Sequence, residues 1–328
     1  MARVLSGLCL VLLVTTTVVA QVAPADPSPH QTGTVAVAGV RVPYLDWGGD
    51  GPPLVFIAGF GNSAHVFDSF APRFTDRFHA LGVTRVGFGE ADQPTGVGYD
   101  LTTRVEHIRL ALDTLKLGKA VLVGHSLGGD EITAFAARYP ARVAGLIYLD
   151  AALDHRAPIR WQNDATEIVA PVEPRPSTAD LQNVLTYQKW YGRMIGVELP
   201  LGEMLAITAF DPSGAVRGNR ASPDVYARTV EATVAPPFAE VRAPVLALYA
   251  EQVAADVFPW LPAYPAQHAA VTALLVRIEP AVQAERAKFV RALPHAHVQT
   301  YPAHHYLFLT VPDDTERRMR AFLSEVRP

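Results

Sequence analysis

The chain has 328 residues, of which 49% are apolar and 18% are charged, so it can bury a large hydrophobic core. This composition excludes a disordered or fibrous protein. The net charge of −4 at pH 7 and the lack of a basic cluster argue against a nucleic-acid partner. The only cysteine, Cys9, lies in an N-terminal segment that we expect to be removed, which excludes cysteine nucleophiles and thiolate metal sites from the mature chain.

Residues 1–20 have the pattern of a secretory signal peptide. Arg3 supplies a short positive region, residues 8–14 are apolar, and the segment ends on the small residue Ala20. A membrane anchor is the alternative, but the apolar run is shorter than the ~20 residues that a span needs. We therefore expect cleavage after Ala20, a secreted or periplasmic protein without a stable membrane span, and a flexible proline-containing leader over residues 21–31.

The N-terminal part of the mature chain predicts four strands. Residues 34–37 and 40–47 flank a short glycine turn and predict a hairpin. Residues 54–58 and 78–83 are apolar runs that predict buried strands.

A helix and the C-terminal elements follow from similar patterns. Thr103 and Glu106 have the spacing of a capping box, which predicts that a helix starts at this point. Further along the chain we expect strands at residues 143–150, 245–250 and 298–301 and helices at residues 269–293 and 315–326.

The most informative stretch is the G-x-S-x-G motif from Gly124 to Gly128. The apolar residues 120–123 before it predict a strand buried on both faces, and residues 131–139 after it predict a helix. The two glycines let strand and helix approach closely while the Ser126 hydroxyl points outward. A glycine-rich turn with a capping serine is the alternative, but the strand–turn–helix context favours a nucleophile elbow.

On these residues the sequence resembles the α/β-hydrolase superfamily, from about residue 34 to the C-terminus and most weakly in the middle third. The resemblance implies an α/β fold with a mostly parallel central sheet flanked by helices. Its core would comprise residues 32–151 and 241–328, and a helical cap would be inserted after the sixth strand, over residues 152–240. We expect most of the cap's aromatic side chains to pack in its own core.

The resemblance also implies an oxyanion hole. In this family one backbone N–H comes from the loop after the strand at residues 54–58, and the other from the residue after the nucleophile. By position these groups belong to Phe60 and Leu127. The chain departs from most relatives here, since Ala58-Gly59 replaces their His-Gly pair.

His305 is the expected catalytic base. The family places this histidine after the final strand, usually with a glycine before it and a proline seven residues later. Pro312 follows His305 at that spacing, whereas His304 occupies the glycine position and is the alternative base. His295 and His297 could form a metal-binding pair, but we expect them to be solvated loop residues.

The acid of the triad has two candidates. Most relatives carry it after the seventh strand, where this chain has Val253 without a preceding glycine. Some relatives, the haloalkane dehalogenases among them, carry it at the end of the sixth strand, which is the position of Asp150. We therefore predict Asp150 and keep Asp256 as the main alternative.

These assignments predict a serine hydrolase that cleaves a small apolar carboxylic ester, or else an amide, through an acyl-Ser126 intermediate. No cofactor or metal is implied. A serine nucleophile argues against a haloalkane dehalogenase or an epoxide hydrolase, since those relatives attack with aspartate. A cofactor-free haloperoxidase or a lyase on the same triad remains open, as does a non-catalytic ligand-binding protein, which the missing acid at Val253 would favour.

Overall fold

The structure, a computed structural model, describes residues 24–37, 39–96, 98–251 and 254–326. The predicted signal peptide and its cleavage site lie outside the described residues and stay a prediction. In the described ranges, every helix is too short or too polar to cross a lipid bilayer.

A mixed but mostly parallel sheet organises the described chain. Its strands are β1 (Gln31–Val37), β2 (Val40–Gly48), β3 (Pro53–Ile57), β4 (His79–Val83), β5 (Ala120–His125), β6 (Val143–Leu149), β9 (Val245–Glu251) and β10 (His297–Pro302), while β7 (Thr208–Phe210) and β8 (Val216–Asn219) form a separate hairpin. The order is β1-β2-β4-β3-β5-β6-β9-β10. β2 is antiparallel to β1 and β4, and the other neighbouring strands run parallel.

Helices cover both faces of the sheet. They are α1 (Leu101–Thr114), α2 (Gly128–Arg138), α3 (Arg156–Val169), α4 (Val184–Ile195), α5 (Leu201–Ile207), α6 (Pro223–Glu231), α7 (Ala254–Val257), α8 (Pro265–Ala292), α9 (Leu307–Thr310) and α10 (Pro312–Leu323). In β5, Val121 and Val123 belong to one core and Leu122 to the other. Because successive side chains of a strand point to opposite faces, a strand buried on both faces needs the continuous apolar run seen in the sequence.

The capping box predicted at Thr103 and Glu106 is wrong. The cap lies three residues earlier: α1 begins at Leu101, and Asp100 caps it by accepting a hydrogen bond from Thr103 N at 2.9 Å. Glu106 instead accepts a hydrogen bond from Arg109 Nε at 2.9 Å. The carboxylate of Asp100 is anionic and lies at the positive end of the helix dipole, so it caps better than a threonine one turn later.

The segment between β6 and β9 contains α3, α4, α5 and α6 together with the β7–β8 hairpin. Tyr187 and Trp190 of α4 stack with ring centroids 5.3 Å apart, as expected for aromatic residues that pack within a cap. Tyr187, like Leu199 and Met204, also belongs to the core on one face of the sheet, and Trp190 packs against that core. The segment is therefore packed onto the sheet domain as well as onto itself.

The turn between β5 and α2 brings three strand ends into close backbone contact. A Cβ atom added to Gly124 would lie 2.7 Å from Gly128 O, and one added to Gly128 would lie 2.5 Å from Ile57 O. At Gly129 it would lie 2.2 Å from Ala151 O. All three distances are shorter than ordinary carbon–oxygen contacts, so this turn requires glycine.

Gly129→Ala should lower the free energy of unfolding by about 3 kcal/mol, because the new methyl group meets the backbone of Ala151 rather than a flexible side chain. Gly118→Ala is the matched control, since nothing lies within 4 Å of its added Cβ. Its stability should stay within about 0.5 kcal/mol of the wild type. Urea denaturation followed by circular dichroism measures both, and equal effects would contradict the steric argument.

Candidate active site

Ser126 has a backbone conformation that few non-glycine residues adopt. Its φ is 50°, in the left-handed region, which costs on the order of 1–3 kcal/mol. The surrounding backbone holds it there: Ser126 N donates to Leu149 O at 3.2 Å, and Ser126 O accepts from Gly129 N at 2.8 Å. Gly59 faces it closely, since an added Cβ there would lie 2.9 Å from Ser126 Cβ. The turn thus presents Ser126 beside the loop that follows β3.

The structure brings Asp150 and His305 together. Asp150 follows β6 with a φ of 47°, and its Oδ2 lies 2.7 Å from His305 Nδ1. A carboxylate can only accept at this distance, so Nδ1 carries the proton and Nε2 keeps the lone pair that a general base needs. Asp150 Oδ1 also accepts from Ala250 N at 3.1 Å, which anchors the carboxylate between β6 and β9.

The alternative acid, Asp256, lies beside His304. The charge and backbone of Asp256 raise the pKa of His304, although burial and the neighbouring His305 lower it overall. His304 Nε2 contacts Ile195 O at 2.8 Å, and its Nδ1 accepts from Tyr306 N at 3.1 Å. His304 therefore joins the loop after β10 to the end of α4, and Asp150 is the carboxylate bonded to His305.

His125 is a site residue that sequence analysis missed. It precedes the nucleophile and is buried, and its Nε2 lies 3.2 Å from His305 O, so the ring N–H donates to that carbonyl. Burial, reinforced by the charge of His305, lowers the pKa of His125 well below its usual value, so the ring stays neutral. Its place inside the G-x-S-x-G motif is the only sequence signal for this positioning role.

The predicted oxyanion loop is held by Arg85, which follows β4. Its Nη1 donates to Gly59 O and its Nη2 to Ala58 O, both at 2.8 Å, while its Nε donates to Glu131 Oε1 of α2 at 2.5 Å. In a trans peptide the N–H points opposite to the C=O, so the Phe60 N–H points away from Arg85. In the part of the chain that the structure describes, no backbone acceptor takes the N–H of Phe60 or Leu127.

A buried carboxylate from the cap also holds this loop. Glu203 of α5 accepts from Asn62 Nδ2 at 2.8 Å, from Ser63 N at 3.1 Å and from Ser63 Oγ at 2.5 Å. Burial raises the pKa of Glu203 to about 7, although these hydrogen bonds oppose the shift. Tyr306 OH donates to Asn62 Oδ1 at 3.0 Å. Asn62 thus links the cap, the loop after β3 and the loop that carries His305, which no local sequence pattern indicates.

Aromatic rings surround Phe60. Its ring centroid lies 5.7 Å from that of Phe88 and 5.3 Å from that of Tyr226 in α6, and about a third of its surface is exposed. The wall that the cap presents at this loop is therefore apolar.

A serine on a strained turn, a carboxylate–histidine pair and two oriented N–H groups are the components of acyl transfer.

A family model described as alpha/beta hydrolase fold matches residues 52–312 of the chain. The chain is 35% identical over 102 residues to 2-(acetamidomethylene)succinate hydrolase of Mesorhizobium japonicum, and the match covers 31% of this chain and 36% of that protein. It is 33% identical over 145 residues to non-heme chloroperoxidase of Streptomyces lividans, covering 43% and 51%. The matches thus span about a third to a half of the length of these curated relatives.

A solved structure has the same fold. The crystal structure of E-2-(acetamidomethylene)succinate hydrolase superposes with a TM-score of 0.67 at 22% identity, and the match covers 90% of this chain and 99% of that one. This likeness confirms the predicted fold class, a mostly parallel sheet flanked by helices.

Asp150→Asn should lower kcat by about 10³–10⁴ with little change in KM, because the uncharged amide no longer fixes the tautomer of His305 or stabilises its imidazolium. Asp256→Asn is the matched control and should change kcat less than about threefold. Steady-state kinetics on a p-nitrophenyl ester measures both, after circular dichroism shows that each variant is folded. A larger loss in Asp256→Asn would assign the acid to Asp256.

Glu203→Gln should remove a pH dependence of stability. The folded pKa of about 7 lies above the unfolded value of 4.5, so the folded state holds this proton more tightly. The stability that it contributes is complete below pH 4.5 and is lost as the pH rises through 7. As the pH rises from about 5 to about 8, the free energy of unfolding of the wild type should therefore fall by about 2–3 kcal/mol relative to that of Glu203→Gln. Urea denaturation at each pH measures both.

The matched control for this experiment is Glu198→Gln, which changes an exposed glutamate of the same segment. Its stability relative to the wild type should vary by less than about 0.5 kcal/mol over the same pH range. A pH dependence that is equal in the wild type and Glu203→Gln would mean that Glu203 does not titrate in this range.

Proposed function

Because the chain belongs to the α/β-hydrolase family, whose model matches residues 52–312, we propose that it is a serine hydrolase that cleaves carboxylic esters through an acyl-Ser126 intermediate. The observation that carries the proposal is the 2.7 Å hydrogen bond between Asp150 and His305, beside a serine held at a φ of 50°. Such a pair is the arrangement that activates a hydroxyl nucleophile.

In the first half of the reaction, His305 Nε2 takes the proton of Ser126 Oγ as this oxygen attacks the ester carbonyl carbon. The carbonyl oxygen becomes an oxyanion, which the N–H groups of Phe60 and Leu127 stabilise. His305 then returns the proton to the leaving alcohol as the C–O bond breaks, and the acyl group stays on Ser126.

In the second half, water replaces the alcohol. His305 takes a proton from the water as its oxygen attacks the acyl carbon, and gives it back to Ser126 Oγ when the acid leaves. Asp150 stabilises the imidazolium in both halves and remains ionised. His125 positions the base through its bond to His305 O, and Arg85 positions the donor loop through Ala58 and Gly59.

A small apolar ester is the substrate class that the surroundings favour. Phe60 and Tyr226 offer aromatic surface at the loop after β3. The carboxylate of Glu203 accepts hydrogen bonds from Asn62 and Ser63, so it is not available to bind a polar ligand. Apolar walls with a few placed polar groups are typical of small-molecule sites. Amides are the second choice, because an amine is a poorer leaving group than an alcohol.

A halogenating activity is a second candidate, favoured by the 33% identity to a protein named non-heme chloroperoxidase. Because this activity would use the same Ser126, His305 and Asp150, substitutions at these residues would not distinguish it from ester hydrolysis. An ester assay and a halogenation assay on one preparation distinguish the two activities. The non-catalytic reading loses its main support, since Asp150 supplies the carboxylate that is missing at residue 253.

Ser126→Ala should abolish labelling by a fluorophosphonate and lower the turnover of short p-nitrophenyl esters by roughly 10³–10⁶, because no other group can form the acyl-enzyme. Ser324→Ala, at an exposed serine near the C-terminus, is the matched control and should label like the wild type. Labelling that persisted in a folded Ser126→Ala protein would refute the proposed nucleophile.

A further inference from the structure

A cluster of histidine and aspartate side chains lies apart from Ser126, where the leader meets the segment after β3. Asp26 and His30 precede β1, and His65 and Asp68 follow β3. One nitrogen or oxygen atom from each lies within 4.8 Å of all the others. Their side chains are only 2 to 18% exposed.

Each of three members has one polar atom held from outside the cluster. Ser28 N donates to Asp26 Oδ1 at 2.9 Å, and Trp47 Nε1 donates to Asp68 Oδ1 at 3.1 Å. Ser28 Oγ lies 2.7 Å from His30 Nδ1, so a proton on this nitrogen leaves the lone pair on His30 Nε2. Such outer hydrogen bonds typically orient metal ligands.

The remaining atoms face one another. His65 Nδ1 lies 3.2 Å from Asp26 Oδ2 and 2.8 Å from Asp68 Oδ2, and His30 Nε2 lies 3.9 Å from Asp26 Oδ2. Ligand atoms bound tetrahedrally to zinc at about 2.0–2.1 Å lie about 3.3 Å apart. Movements of under about 1 Å would therefore convert this arrangement into a tetrahedral shell.

Within the described residues, the carboxylates of the cluster have no permanently charged partner. Asp26 Oδ2 is buried and accepts no hydrogen bond from the described residues. In the same part of the chain, the ion-pair partners of Asp26 and Asp68 are His30 and His65 rather than a lysine or an arginine. A partly buried carboxylate and a buried one next to two imidazoles leave a negative charge that a divalent cation would neutralise.

The cap closes the cluster at Gly202, in the first turn of α5. A Cβ atom added to Gly202 would lie 2.2 Å from Asp26 Oδ2, 2.5 Å from Asp68 Oδ2 and 2.7 Å from His65 Nδ1. The glycine thus leaves room beside three of the four converging atoms, which any other residue would fill.

We propose that Asp26, His30, His65 and Asp68 bind a divalent transition metal of the zinc class as a closed structural site. Imidazole nitrogen and carboxylate oxygen together suit zinc, whereas calcium and magnesium take oxygen ligands. Four protein ligands leave no open position for catalysis, so the ion joins elements rather than performing chemistry.

The site would join the leader, the segment after β3 and the cap. Residues 24–30, predicted as part of a flexible leader, supply two of the four ligands. Gly202 precedes Glu203, whose carboxylate holds Ser63, two residues before His65. Metal binding would therefore stabilise the contact between the cap and the loop that follows β3, independently of the reaction at Ser126.

The test is a zinc titration of metal-free protein purified without a histidine tag, by isothermal calorimetry. The wild type should bind one equivalent and gain about 5 °C in Tm with zinc in excess. His30→Gln and Asp26→Asn should each weaken binding by at least about 10-fold, and the double variant should show no gain in Tm. His79→Gln is the matched control, because His79 lies 3.0 Å from Asp46 in an isolated pair, and it should bind like the wild type.

X-ray absorption on the zinc-loaded wild type covers the case in which a variant fails to fold. It should show a nitrogen and oxygen shell at about 2.0 Å with outer scattering from two imidazoles. Lack of zinc binding by the wild type, unchanged binding by the double variant, or a spectrum without imidazole would each overturn the proposal. Fluorophosphonate labelling of Ser126 is read separately, so a failure here and a failure of the proposed hydrolase remain distinguishable.

Discussion

The close backbone contact around the turn after β5 is the constraint on which the rest of the site depends. Gly128 touches Ile57 O at the end of β3, and Gly129 touches Ala151 O just after β6. Because parallel strands end at the same edge of a sheet, this contact brings Ser126, the loop after β3 and Asp150 together. The strained φ of Ser126 follows from the same geometry, since α2 must start within two residues of β5.

A buried ion pair then fixes the loop after β3 against α2, the helix that follows Ser126. Arg85 and Glu131 are both almost fully buried, and two desolvated charges are costly unless their hydrogen bonds are complete. Arg85 meets this condition by donating to both oxygens of Glu131 and to the carbonyls of Ala58 and Gly59. Arg85 thus fixes the loop after β3, in which Ala58 replaces the family's usual histidine, through hydrogen bonds to its carbonyl groups.

The cap is hydrogen-bonded to the loop after β3 and to the loop that carries His305. Glu203 accepts hydrogen bonds from Asn62 and Ser63 after β3, and Ile195 O accepts a hydrogen bond from His304, next to His305. A shift of the cap would therefore alter the position of the proposed oxyanion loop after β3 and of His305 together. Since Glu203 is a buried carboxylate with a pKa of about 7, the first of these contacts changes its charge near neutral pH.

The sequence by itself determined the strands of the main sheet and predicted the nucleophile elbow and His305 as the base, because these depend on patterns within a few residues: apolar runs, the glycines around Ser126, and the loop of His305. It placed the cap of α1 at Thr103 instead of Asp100, since both side chains can cap a helix and lie only three residues apart. Only the tertiary structure paired His305 with Asp150, which lies 155 residues away in the sequence. It also brought Glu203 into hydrogen-bond contact with Ser63, which lies 140 residues away. The meeting of Asp26 with His65 is equally non-local. Such contacts leave no periodicity in the chain, because they are made only when separate strand ends, the leader and the cap pack against one another.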